Sequence, residues 1–279
     1  MNVLVEPFGY EFFRNGIAVA TIAGALCGLV GVYVVLRGMS YIGHGLSHAI
    51  FGGAVASSII DLNFYAGAGV WGIASALLIQ RVSHRRVVGA DAAIGVVTTA
   101  AFAIGVALIS HFRSFSQGFE AALFGNVLGV SRADLAVVAL VAAGVSALVL
   151  WNYRALLFTS FDPEVAEISG VSTARMDALL ALILASTIIA TMQVLGVTLI
   201  AAALIVPAVT ARLLTDRFGR MVWLSVAMGA STGAVGIYLS YHLDVASGPA
   251  VVLVSSALFA AVFLAGPGRR TGLAGMRAS

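Results

Sequence analysis

The chain has 279 residues, 61% of them hydrophobic and only 10% charged, with a net charge of +3 from fifteen basic and twelve acidic side chains. A water-soluble domain is usually about 25% charged and 45–50% apolar, so a solvated globule, a disordered chain and a nucleic-acid binder are all excluded in favour of an integral membrane protein. All fifteen basic residues are Arg; without Lys there is no Walker A loop and no Schiff-base lysine, and any ATP hydrolysis that drives this protein belongs to another chain.

The first fifteen residues hold Glu6, Glu11, Pro7 and four aromatics. That is unlike the basic start and short apolar core of a cleavable signal, and it reads as an amphipathic, interfacial lead into the first span. Charge-free windows mark the spans that follow. From Arg14 to Arg37 there are 22 uncharged residues, from Arg37 to Asp61 there are 23, and from Asp61 to Arg81 there are 19. Each can hold about 20 residues of helix, enough for ~30 Å of hydrocarbon. The first window contains Cys27, the single cysteine, which leaves neither a disulfide framework nor a thiolate metal cage.

The second window carries Met39-Ser-Tyr-Ile-Gly-His44-Gly-Leu-Ser-His48-Ala. Residues four apart share a helix face, so His44 and His48 can chelate a divalent transition metal as two imidazoles on one face. A zincin would need Glu after the first His, and this chain has Gly45 there. A serine-hydrolase elbow is also absent, because Gly45-Leu-Ser47-His48-Ala49 lacks its closing Gly. Counted from Arg37, His48 lies ~16 Å along a helix, near the bilayer midplane. Two neutral histidines bonded to neighbouring helices are the plainer alternative.

The 80–91 loop holds Arg81, His84, Arg85 and Arg86, a solvated cytoplasmic turn. A span follows between Asp91 and Arg113, with His111 at its outer surface. The apolar stretch from Phe119 to Val130, with Glu120 and Asn126, is too short to span and reads as re-entrant or interfacial. Another span fits between Asp134 and Arg154. Then comes Phe161-Asp162-Pro163-Glu164-Val-Ala-Glu167-Ile-Ser-Gly170. Asp162 suits an N-cap, Pro163 the first helical position and Gly170 the stop, predicting a short acidic helix that either docks on a partner or simply joins two spans.

The window from Asp177 to Arg212 has 34 uncharged residues. At ~1.5 Å per residue that is about 50 Å, too long for one crossing, so it is expected to turn near Gly196 into two short spans. Spans between Arg220 and Asp244 and between Asp244 and Arg269 bring the expected number to nine, with eight as the alternative. Around the first of these lies Ser240-Tyr-His242-Leu-Asp244-Val-Ala-Ser247-Gly248-Pro249. His242 and Asp244 could join the histidine pair in a nitrogen–oxygen site for Zn, Mn or Fe, or be a solvated loop with a capping Asp. The pairs Gly24/Gly28 and Gly229/Gly233, with Ser225 a turn earlier, are either close-packing motifs or ordinary membrane-helix composition.

Cytoplasmic loops are enriched in Arg. With the 80–91 loop inside, twelve Arg fall in the cytoplasm and only Arg14, Arg113 and Arg132 outside. The N-terminus is then outside and the C-terminus inside. A single transmembrane domain over residues 1–266 and a disordered cytoplasmic tail over 267–279 are expected.

At these residues the chain resembles the permease subunit of the zinc/manganese/iron ABC importers over residues 16–265. The resemblance is carried by Met39-Ser-Tyr with Gly43 and Leu46-Ser47-His48-Ala49, and by Leu123-Phe124-Gly125-Asn126. It continues in Asp162-Pro163-Glu164 with Ser169-Gly170-Val171, and in Gly196-Val197 with Leu204-Ile205-Val206-Pro207-Ala208 and Thr210-Ala211-Arg212. Ser247-Gly248-Pro249 closes it. It implies an all-α, type II-like polytopic permease in the plasma membrane of a bacterium or archaeon. It further implies a homodimer bound to two cytoplasmic ATP-binding subunits and fed by an extracytoplasmic metal-binding lipoprotein. The Asp162–Gly170 helix, with Pro163, Glu164 and Glu167, is similar to the family's coupling helix, and His48 matches its usual histidine. His44 stands where the family has Asp, which leans toward Zn over Mn. The expected protein is thus not an enzyme, holds no permanent cofactor and carries a divalent metal ion as cargo. A stand-alone secondary transporter or channel is the alternative.

Overall fold

The structure is a computed structural model that describes residues 5–59, 63–83, 90–112, 123–125 and 129–265. The expectations for His84, Arg85 and Arg86, for Glu120 and Asn126, and for the 267–279 tail lie outside the described residues. Every described element is helical. A 3₁₀ turn, Glu6–Gly9, precedes α1 (Glu11–Leu36), α2 (Ser40–Ile59), α3 (Phe64–Ser83) and α4 (Ala90–Phe112). Then come α5 (Arg132–Trp151), α6 (Tyr153–Phe161), α7 (Pro163–Ile168), α8 (Thr173–Leu195), α9 (Ile200–Leu214), α10 (Phe218–Leu243) and α11 (Ser247–Ala265).

Each charge-free window holds a helix, because an uncharged run must satisfy its own backbone groups in lipid. Among the described residues six helices, α1, α4, α5, α8, α10 and α11, are long and apolar enough to cross a membrane, and α9 is a shorter apolar helix. The long window after Asp177 breaks at Gly196, whose φ of 75° ends α8 and lets the chain turn back into α9.

Helix α1 lies at the centre, packed on α5, α8, α9 and α10. The two G-xxx-G pairs meet there. A Cβ on Gly24 would stand 2.1 Å from the Gly229 carbonyl oxygen, and one on Gly28 would stand 2.4 Å from that of Ser225. The Ser225 hydroxyl donates to the Gly28 carbonyl at 2.7 Å. These glycines therefore make the α1–α10 approach, rather than reflecting composition alone. Helix α2 lies between α3 and α4 and rests on α8 and α9. Helices α5 and α11 are peripheral, with Leu140, Leu150, Trp151, Leu253 and Leu264 exposed.

Polar contacts collect at the two ends of the bundle. At one end Glu11 pairs with Arg132, the Tyr65 hydroxyl donates to Asp134 at 2.7 Å, and Phe13 meets Tyr241 edge to face at 5.3 Å. At the other, Arg37 pairs with Asp177 and Gln80 Nε2 donates to the Ala174 carbonyl at 2.9 Å. Charges assigned to one side of the membrane by the Arg count are thus neighbours in space.

Candidate functional site

Helix α2 starts later than a continuous run from Arg37 would. Arg37 caps α1, Gly38 adopts a φ of 66°, and α2 begins at Ser40. His48 is then eight residues above the start, ~12 Å rather than ~16 Å. The His44 and His48 rings stand with centroids 4.5 Å apart, tilted by 55°. His48 Nδ1 donates to the His44 carbonyl at 2.9 Å. That bond holds the imidazole in the tautomer whose Nε2 lone pair is available, the usual arrangement of a metal-ligating histidine. Phe102 of α4 packs on the His48 ring at 5.1 Å.

The close approach of α2 and α4 comes from glycine. A Cβ on Gly45 would meet the Ile94 and Thr98 side chains at 2.7 and 2.9 Å, and one on Gly52 would meet the Ala101 carbonyl at 2.4 Å. Beside them a cavity of about 380 Å³ is lined by Tyr41, His44, Gly45, Thr98 and Thr99. His44 is exposed, whereas His48 is partly buried.

His242 and Asp244 sit at the far end of α10. His242 packs between Tyr238 and Tyr241, at 4.6 and 5.4 Å, and Asp244 ends the helix in the left-handed region with φ 52°. Asp244, Phe12, Phe13, Gly125 and Ser247 line a separate cavity of about 250 Å³. The structure does not bring these residues to the histidine pair: α10 packs on α1, α9 and α11, while α2 packs on α3, α4, α8 and α9. Among the described residues no group of three or more His, Cys, Asp or Glu could hold a metal ion.

Near that cavity three separate sequence motifs converge. The Leu123 carbonyl accepts from the Thr198 hydroxyl at 2.7 Å, and a Cβ on Gly196 would stand 2.3 Å from the same carbonyl. Ser247 donates to the Val194 carbonyl at 3.2 Å, and a Cβ on Gly248 would stand 2.4 Å from the Phe124 and Leu195 carbonyls. The 123–125 segment, the Gly196 turn and the start of α11 therefore close one corner of the bundle.

The acidic helix forms as its caps require. Asp162 accepts from the Val165 amide at 3.0 Å, Pro163 opens α7, and Gly170 leaves it at φ 86°. The Glu167 carboxylate accepts from the Thr173 hydroxyl at 3.1 Å. Glu164 and Glu167 are exposed beside Phe161, Val165 and Ile168, the last 87% exposed. This short helix turns both carboxylates and large apolar groups outward.

Sequence reading took Arg37 as the end of a window and a cytoplasmic charge, and missed what it holds together. Its side chain is 9% exposed and reaches three acceptors: the Asp177 carboxylate, Ser160 Oγ at 3.0 Å from Nε, and Thr159 Oγ1 at 2.8 Å from Nη2. These partners lie 122 to 140 residues away, so no local pattern could have revealed them.

The ABC 3 transport family profile matches residues 9–266. A manganese transport system membrane protein, MntC, of Halalkalibacterium halodurans is 39% identical over 94% of this chain and 90% of its own. A Haemophilus influenzae protein described as a "Probable iron transport system membrane protein" is 34% identical over 92% and 94%. The solved structure of PsaBC from Streptococcus pneumoniae in complex with Fab superposes with a TM-score of 0.87, at 32% identity over 96% of this chain and 97% of that one.

Proposed function

The chain belongs to the ABC 3 transport family, and on that premise we propose that it is the membrane permease subunit of an ATP-driven importer for a divalent transition-metal ion. The observation that carries the reading is the histidine pair: two rings 4.5 Å apart on one membrane helix, one of them held with Nε2 free to ligate. Isolated polar groups are costly in a span and mark pathways. His44 and His48 are the central ligands in this reading, and His242 and Asp244 are polar groups met first at the outer end. The relatives are named for manganese and iron, and an imidazole pair also suits zinc.

In this proposal nine helices span the membrane: the six long apolar ones, α9, and the 20-residue α2 and α3. The N-terminus is outside and the C-terminus cytoplasmic, which places α7 on the cytoplasmic side. There Asp162, Pro163, Glu164, Glu167 and Gly170 form the helix on which a separate ATP-binding subunit docks. An extracytoplasmic metal-binding lipoprotein delivers the ion at the opposite face, and two copies of the permease form the assembly. ATP-driven closure of the ATP-binding subunits moves α7, and alternating access passes the ion from the outer end past the histidine pair.

The test is uptake of manganese, iron and zinc by cells carrying wild-type or His48→Ala protein. Loss of uptake with the complex still assembled is the expected result, and unchanged uptake sinks the site. Metal flux into liposomes containing this chain alone would favour an autonomous transporter instead.

A further inference from the structure

We propose that Arg37 is a positioning residue that carries the movement of α7 to the root of the histidine-bearing helix α2. The proposal rests on the reading of α7 as the helix on which the ATP-binding subunit docks. Arg37 grips the chain on both sides of α7. Thr159 and Ser160 precede its N-cap Asp162 by three and two residues, and Asp177 lies in the first turns of α8, the helix that follows. Among described elements, α7 itself packs on α6 and α8, so a push on α7 reaches the bundle through the segments that Arg37 holds. The two hydroxyls are fixed in turn: Thr159 donates to the Ala155 carbonyl at 3.0 Å and Ser160 to that of Leu156 at 2.6 Å. Their remaining lone pairs face the guanidinium, whose planar fork suits several acceptors at once.

The other side of the linkage is equally short. Only Gly38 and Met39 separate Arg37 from α2. The Met39 amide donates to the Val34 carbonyl at 3.1 Å and the Gly38 amide to that of Val35 at 3.2 Å. This double closure is the Schellman arrangement of a helix end, and it makes the corner between α1 and α2 a stiff unit. A displacement of the guanidinium is therefore passed on to α2 at Ser40, four residues before His44, rather than absorbed in a loop. The corner also has room to move. Arg37, Met39, Ile42, Asp177 and Leu180 line a cavity of about 350 Å³ between it and α8.

The experiment uses the permease assembled with its ATP-binding subunit in proteoliposomes and supplied with its metal-binding lipoprotein, with radioactive Mn²⁺ as the probe. ATP hydrolysis and manganese uptake are measured together. In Arg37→Lys, in Asp177→Asn and in the double variant Thr159→Val/Ser160→Ala, ATP turnover is expected to stay within about twofold of wild type. Manganese moved per ATP is expected to fall about tenfold, within the usual range of coupling between two sites. The exchange Arg37→Asp/Asp177→Arg is expected to restore part of that ratio. An unchanged ratio of manganese moved to ATP hydrolysed in all assembled variants, whether the two activities hold or fall together, overturns the proposal. Should the charge variants fail to assemble, the hydroxyl double variant, which keeps the ion pair, decides on the same ratio. A wild-type complex that hydrolyses ATP but moves none of manganese, iron or zinc overturns the functional reading itself, and the role of Arg37 with it.

Discussion

In the proposed site, the bond from His48 Nδ1 to the His44 carbonyl selects the nitrogen of His48 that would meet the metal. It leaves Nε2, the ring's outer nitrogen, to ligate, and the edge of Phe102 restricts the ring's rotation. His44 differs in chemistry rather than position. An imidazole is a softer ligand than a carboxylate, and carboxylates suit manganese better than imidazoles do. His44→Asp is therefore expected to raise the preference for Mn over Zn by about tenfold, equivalent to ~1.4 kcal/mol of differential binding. Competition between the two ions in uptake measures it, and an unchanged preference removes His44 from the ligand set. The spacing that pairs the two histidines was legible, because i and i+4 share a face on any helix. The tautomer was not, since it is set by a backbone carbonyl that only a built helix places.

Helix contacts here follow from missing side chains more than from large ones. In lipid no hydrophobic force draws helices together, so close packing over small residues has to supply the attraction. The α1–α10 contact shows the demand plainly. A methyl group on Gly24 would lie 2.1 Å from a carbonyl oxygen of α10, whereas Gly144 on α5 has open space where a Cβ would be. Gly24→Ala is thus expected to cost about 1–3 kcal/mol through overpacking. Gly144→Ala is expected to be neutral or to gain up to about 1 kcal/mol from helix propensity. Thermal unfolding of the two variants in detergent separates them, and equal melting temperatures would contradict the packing account. The G-xxx-G pairs could be seen in the chain, but not that Gly24 faces Gly229 and Gly28 faces Ser225. That register depends on how residues as far apart along the chain as Gly28 and Ser225, 197 positions, are brought side by side.

For the whole molecule, the Arg asymmetry assigns sides to the two ends of the bundle, and the proposed orientation can be checked directly. In a Cys27→Ala background, a cysteine at Ser169, beside α7, is expected to react with a membrane-impermeant maleimide only from the cytoplasmic side. One at Ser131 is expected to react only from outside, and both positions are exposed. Labelling of Ser169→Cys in intact cells would invert the topology. The membrane class, the windows that hold helices, the histidine pair and the caps of α7 were all decided by sequence, because each follows from local composition and spacing. Solvation, helix periodicity and capping act over a few residues at a time. Tertiary structure alone decided that Arg37 ties the flanks of α7 to the corner of α1 and α2, and that the 123–125 segment, the Gly196 turn and Gly248 close one corner. It also decided that His242 and Asp244 stand apart from His44 and His48. Such contacts join positions far apart along the chain, and no local force encodes them; they exist only once the helices have packed.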